Sequence, residues 1–180
     1  MKKILLIFLS FSFSFFSYSQ NLVVNHSFEI FNACPDTFIG PNGSNISAAN
    51  NWYNAGGFTP DYLNSCDTNI TEPYCSVPSN QYGYQPARTG VAYAGIITSI
   101  LYPPSDTIRE YIEAKLLDSL IAGKSYAVSF YVSLSDWSTY AANDIGAYFS
   151  NSVISSSSPY PLPYSPQIQN DPINNPLIDT

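Results

Sequence analysis

The sequence predicts an all-β domain behind an export signal, and three observations point there. Residues 125–135, SYAVSFYVSLS, alternate with a period of two. Tyr126, Val128, Phe130, Val132 and Leu134 fall on one face, and Ala127, Ser129, Tyr131, Ser133 and Ser135 on the other. Residues 91–97 form a second β-prone run, VAYAGII. Between such runs the chain is punctuated by turn formers, with 14 prolines and 9 glycines, which leaves room for short strands rather than long helices. Burying the five apolar side chains of the first run is worth roughly 1.5–3 kcal/mol each before entropy is charged, so that run is the expected centre of a sheet.

Taken in order, the chain opens with Lys2 and Lys3, an apolar run from Ile4 to Phe16 broken by small serines, and Ser17-Tyr18-Ser19 ahead of Gln20. That is the pattern of a secretory signal peptide over residues 1–19, too short for a comfortable membrane span and without a cysteine at the cleavage point to carry a lipid. The mature chain is expected to be exported, with no transmembrane segment. About 160 residues remain, enough for one domain with a substantial core. We place the β-domain over 20–150 and a Ser/Pro/Asn-rich segment over 151–180.

Without Lys2 and Lys3, four basic residues face thirteen acidic ones, a formal charge of −9. A phosphate backbone would be repelled, so nucleic acid is not an expected partner. Only 11% of residues are charged, and the surface must be covered largely by Ser, Asn, Thr and Tyr. Cys34, Cys66 and Cys75 allow one disulfide in an oxidising compartment and leave one thiol over. All three pairings are open on sequence; loop entropy favours a longer bridge such as Cys34 to Cys66 over the short Cys66 to Cys75. No CxxC pair or histidine cluster points to zinc.

Residues 21–31, NLVVNHSFEIF, read as a strand with an irregularity near Asn25 to Ser27. Residues 32–80 gather Gly, Pro, Asn, Ser, Asp and all three cysteines, and predict long structured loops with one short strand near residues 51–54. Arg88-Thr89-Gly90 makes a turn into the 91–97 strand, whose two faces are both apolar or small, and Pro103-Pro104 ends that element. Over residues 106–120 the T-x-x-E box of Thr107 and Glu110, with Ile108, Tyr111, Ile112, Leu116 and Leu120 on one face, favours a helix. Gly123-Lys124 turns into the 125–135 strand. A polar loop follows over 136–143, carrying Trp137 and Tyr140, and then a strand over 145–149. Beyond residue 151, Pro159, Pro161, Pro163 and Pro166 oppose regular structure.

The opening NLVVNHSFE resembles the N-x-x-x-N-x-x-F-E start of jelly-roll carbohydrate-binding modules of the galactose-binding-like superfamily. Cys34-Pro35, Trp52, TPDYLNSC (59–66), VPSNQYGYQPARTGVAYAGI (77–96), REYIEAKL (109–116), LIAGKSYAVSFYVSLSD (120–136) and IGAYFS (145–150) carry a more specific likeness. They resemble an N-terminal domain of OmpA-family and gliding-motility-associated envelope proteins of Gram-negative gliding bacteria. The resemblance implies a jelly-roll β-sandwich in which residues 109–116 are a strand beside the central one rather than a helix. It also implies further strands beyond Thr180, so that the chain as it stands would be truncated at the sandwich's C-terminal edge and would expose a sheet edge. Glu29 matches an acidic position that ligates a structural calcium in such modules, and hard oxygen ligands suit that ion.

No catalytic constellation is present. His26 is the sole histidine, and no G-x-S-x-G elbow or Cys/His pair occurs. Asp61 with Asp67 and Glu110 with Glu113 could in principle make a glycosidase pair, yet read more economically as loop or surface charge. The chain is therefore expected to be no enzyme. Aromatic rings could form a sugar platform, since pyranose C–H faces pack on Trp and Tyr while Asn, Gln and Arg supply hydrogen bonds. Trp52, Tyr53 and Tyr62 are weaker candidates; Tyr82, Tyr84 and Arg88, with Trp137 and Tyr140, are the preferred ligand-binding set. The expected partners are a polysaccharide or cell-surface glycan and envelope proteins.

Overall fold

Backbone pairing in this chain is assembled in short pieces, because few stretches run more than four residues without a turn former. The computed structural model describes residues 20–38, 44–69, 73–102, 106–142, 144–158 and 160–170. The segment 1–19 expected to be a signal peptide, the Pro103-Pro104 stop, Asn143, Pro159 and the chain end from residue 171 lie outside the described residues. Every regular element among those residues is β, apart from one 3-10 turn, Ile46–Ala48. The strands are β1 (Trp52–Asn54), β2 (Asp61–Asn64), β3 (Ser79–Asn80), β4 (Gly83–Tyr84), β5 (Ala92–Gly95), β6 (Ile100–Tyr102), β7 (Asp106–Ile108), β8 (Ile112–Ala114), β9 (Gly146–Ala147) and β10 (Ile168–Gln169). They pair two by two and antiparallel: β1 with β8, β2 with β5, β3 with β4, β6 with β7 and β9 with β10. Isolated bridges join Val23 to Leu116 and Phe31 to Ala49.

The core is built on β2, all four of whose residues are buried. Its partner β5 brings Ala92, Ala94 and Gly95 opposite Asn64, Tyr62 and Asp61, and these small residues let the two backbones lie under large side chains. Tyr62, Ile46, Ala49 and Ala92 form the buried cluster, with Phe28, Trp52 and Ile112 packed against it. Phe28 and Trp52 stack at 4.5 Å between ring centroids.

The far edge of β2 is satisfied by a side chain instead of a strand. Asn45, itself buried, accepts the Tyr62 N–H on Oδ1 (2.6 Å) and donates from Nδ2 to the Tyr62 carbonyl (3.1 Å) and the Thr37 carbonyl (3.0 Å). One amide thus reproduces the two bonds a neighbouring strand would supply. Asn25 does the same for the N-terminal turn. Its Nδ2 donates to the carbonyls of Ile30 (2.7 Å) and Asn50 (2.9 Å), its Oδ1 accepts the Ile30 N–H (3.0 Å), and Trp52 Nε1 donates to its carbonyl (2.7 Å).

Several expectations are corrected. Residues 125–135 are not the centre of a sheet: they run without turn, bend or ladder, and apart from Leu134 their apolar face is exposed by 38% at Val128 and Val132 to 48% at Phe130. The physical reason lies in which face meets a neighbour. Tyr131, Ser133 and Ser135 on the polar face engage residues 82–88 through side chains, so the contact that forms is neither a backbone ladder nor a burial of the apolar face. The helix expected from periodicity over 106–120 is replaced by β7 and β8, as the resemblance implied, although β8 pairs with β1. Residues 21–31 do not form a continuous strand. Only Val23 and Phe31 bridge, and the irregularity expected near Asn25 is a full turn closed by Phe28 at φ 64°. The strands near 51–54, 91–97 and 145–149 are present in shortened form as β1, β5 and β9. Further strands were not anticipated: β2 and β3 inside the expected loops, the short β4 and β6 on either side of β5, and β10 inside the Ser/Pro/Asn-rich segment.

Candidate functional site

The β3–β4 hairpin presents the preferred aromatic set, and two tyrosines pin it to the core. Tyr82 donates its hydroxyl to Asp61 Oδ2 (2.6 Å) and packs its ring at 5.3 Å from that of Phe38. Tyr93, on β5, accepts a bond from Asn80 Nδ2 (2.6 Å). Tyr84 at the hairpin's end remains 63% exposed. Tyr82 is accordingly turned inward and acts as a strut, whereas Tyr84 faces solvent.

Residues 131–137 lie alongside this hairpin. The Arg88 guanidinium sits 4.5 Å over the Tyr131 ring, a cation–π contact. Ser133 Oγ bonds Gln85 Oε1, Ser135 Oγ donates to the Tyr82 carbonyl (2.8 Å), and Asp136 Oδ2 accepts the Tyr84 N–H (2.8 Å). Gly83 makes the last approach possible: at φ 123° it adopts a backbone that favours glycine, and a Cβ there would lie 2.3 Å from Asp136 Oδ2. The expected Tyr82, Tyr84 and Arg88 are thereby brought beside the segment that leads into Trp137, which is 77% exposed. Tyr140 is 87% exposed in the following loop. Sequence reasoning passed over Tyr131, Gln85 and Asp136; the available signal was an aromatic ring on the otherwise small, polar face of the 125–135 run.

The resulting surface carries exposed rings bordered by a guanidinium, an amide and a carboxylate. A shallow depression of about 220 Å³, lined by Pro73, Tyr74, Asn80 and Gln81, lies beside the same hairpin. Chemically this suits edge and face contacts with an extended polar ligand, not enclosure of a small one. Of the weaker candidates, Tyr62 is fully buried and Trp52 packs on the core, while Tyr53 is half exposed.

Of the four carboxylates in the two acidic pairs, three accept backbone N–H groups and Asp61 accepts the Tyr82 hydroxyl. Asp67 accepts from Asn69 and Cys75, Glu110 from Thr59 (3.0 Å) and Ile97 (2.7 Å), and Glu113 from Ile154. Burial raises the Glu110 carboxyl above its ordinary range. It raises Asp61 to about 7, against the opposing hydrogen bond from Tyr82 and with a smaller contribution from the Glu110 charge. Asp61 Oδ1 is buried without a partner among the described residues.

Glu29 Oε1 accepts the N–H groups of Val91 (3.0 Å) and Ala92 (3.2 Å), closing the N-terminal turn onto β5. No group of three His, Cys, Asp or Glu side chains able to hold a metal occurs among the described residues. Cys34 and Cys66 form the disulfide, with Cα atoms 5.8 Å apart. Cys75 is free and buried, and accepts a bond from Asn45 Nδ2 at 3.4 Å; burial foremost, then the nearby acidic charges, pushes its thiol up to about 12. That holds it as an inert thiol at neutral pH. No helix among the described residues is long and apolar enough to cross a membrane. No protein-family model matches the chain, and no curated protein or solved structure matches it.

Proposed function

We propose that this chain is a non-catalytic, exported recognition or adhesion module of a larger cell-envelope protein, built on a jelly-roll β-sandwich, and that it binds glycan through Tyr84, Arg88, Trp137 and Tyr140. The observation that carries this reading is the exposure of Tyr84 and Trp137 on two segments held together by the Tyr84–Asp136 and Ser135–Tyr82 hydrogen bonds. Exposed rings of this size cost solubility unless a ligand or partner uses them, and polar neighbours at their edges are what a sugar hydroxyl needs. The low charge of the surface and the disulfide suit an exported protein.

Affinity electrophoresis against a panel of soluble polysaccharides tests the platform. Trp137→Ala and Tyr84→Ala are expected to abolish retardation while leaving the unfolding midpoint unchanged, because neither ring contributes to the core. Retardation that persists in both variants removes the proposed surface.

A second reading is a spacer or protein-adhesion domain without a sugar site. The use of the Tyr131 face by Arg88, which occupies a ring that a sugar would otherwise stack on, favours it. It predicts no glycan bound across the panel, and a protein partner recovered by crosslinking on intact cells.

A further inference from the structure

The 125–135 run is long, extended and uncharged, with its apolar side chains apart from Leu134 half exposed. Setting Ser133 aside, no residue from 125 to 134 makes a backbone-to-backbone hydrogen bond among the described residues. Natural sheet edges are normally interrupted by charges, prolines or bulges that discourage pairing. This one has none between Lys124 and Asp136.

We propose that residues 125–135 are a self-complementary strand through which two copies of this chain pair antiparallel about a two-fold axis at Phe130. The order of residues supports one register. With Phe130 opposite the second copy's Phe130, Val128 meets Val132, Tyr126 meets Leu134, and Ser125 meets Ser135, so apolar faces apolar and small polar faces small polar. At both ends of the same register Lys124 falls opposite the second copy's Asp136. A slip by one residue sets apolar against polar faces throughout. Slipping by two keeps the faces but places Lys124 opposite Leu134 in one direction, or Tyr126 opposite Asp136 in the other, and loses both ion pairs. The two exposed charges that flank the run thus select the register that the apolar residues permit. A two-fold contact of this kind is isologous and closed. The contacts of Tyr131, Ser133 and Ser135 with residues 82–88 are made by side chains, and leave the backbone direction of the strand available.

Sedimentation velocity of the whole exported chain across a wide concentration range tests the proposal. A reversible monomer–dimer equilibrium is expected. Lys124→Asp and Asp136→Lys should each weaken it about tenfold or more, and the double swap should restore it. The restoration cannot arise within one chain, because twelve extended residues hold Lys124 and Asp136 about 40 Å apart. Phe130→Lys, at a half-exposed position, should abolish the dimer by setting like charges on the axis, and near-UV circular dichroism checks that each variant remains folded. Hydrogen exchange should protect the 125–134 amides only at dimer-forming concentrations.

A monomer at every concentration overturns the proposal. So does a dimer indifferent to the charge swap, or open-ended assembly. Amides already protected in the monomer would mean that the strand is paired within its own chain, and would overturn it as well.

Discussion

Asn45, which caps the free edge of β2, and Asp61, the first residue of β2, show opposite ways of burying a polar group. Every polar atom of the Asn45 amide has a partner, and Tyr62 depends on it for both of its outward backbone bonds. Asn45→Ala would leave a buried N–H and a buried carbonyl unpaired, and is expected to cost about 2–4 kcal/mol by urea denaturation. A loss below about 1 kcal/mol would show that water or a shifted loop replaces the amide. Asp61 has one oxygen bonded to Tyr82 and one without a partner, and burial holds its carboxyl near 7 against an ordinary 3.8. Because the folded value is the higher one, the folded state binds the proton more tightly. The contribution of Asp61 to stability is therefore greatest in acid, falls as pH rises from about 4 to about 7, and is flat above; the difference is about 4 kcal/mol when nothing else relaxes. Glu110, also raised, acts in the same direction. Asp61→Asn is expected to flatten this slope and to be more stable than the parent at pH 8. Urea midpoints at pH 5 and pH 8 read the result, and an unchanged slope in the variant would assign the pH dependence elsewhere.

At the scale of elements, joints between short segments matter more than the length of any strand. Gly90, at φ 66°, is where the N-terminal turn meets β5: a Cβ there would lie 2.2 Å from Glu29 Oε1, the atom that accepts the Val91 and Ala92 N–H groups. Gly123, at φ 79°, has nothing within 4 Å of such a Cβ. Gly123→Ala should thus cost only the backbone strain, about 1 kcal/mol, while Gly90→Ala should cost about 2–3 kcal/mol because it also displaces the carboxylate. Thermal melts of the two variants separate these contributions, and equal losses would mean that the Glu29 clamp contributes nothing. The same scale explains what could be read from sequence. Strands at 52–54, 92–95 and 146–147 were legible because β-prone residues stood between clear turn signals. β2 was hidden because Asp61 and Asn64 are buried beside Tyr62 and Leu63, so no alternation marks a face, and Asp61 Oδ2 and the Asn64 amide bond to Tyr82, Tyr62 and Cys66, remote or local partners that no periodicity reports. The 125–135 run was the reverse case: its alternation is the strongest in the chain, yet alternation states only which face seeks cover and not what supplies it. At the candidate site, residue type gave Tyr84 and Trp137 as surface aromatics, whereas the inward turn of Tyr82 depends on Asp61, which lies 21 residues away in sequence.

Over the whole molecule, cross-links and side-chain amides do much of the work that wide sheets do elsewhere. The Cys34–Cys66 disulfide spans 32 residues and encloses the 3-10 turn, β1 and β2, the segment from which most of the core is drawn. Closing a loop of that length restricts the unfolded chain by about 3–4 kcal/mol, so Cys34→Ser with Cys66→Ser should lower stability by about that amount, read from the urea midpoint. A negligible loss would place the constraint in the folded loops themselves. Asn25 and Asn45 carry a different consequence, one of chemical ageing. Each amide nitrogen donates to two carbonyl oxygens, and hydrolysis to aspartate would put an acceptor-only oxygen against both. While the protein is folded, burial shields these amides from water; each unfolding exposes them. The working lifetime of the protein is then counted in excursions to the unfolded state, and time spent hot is recorded as damage that cooling does not reverse.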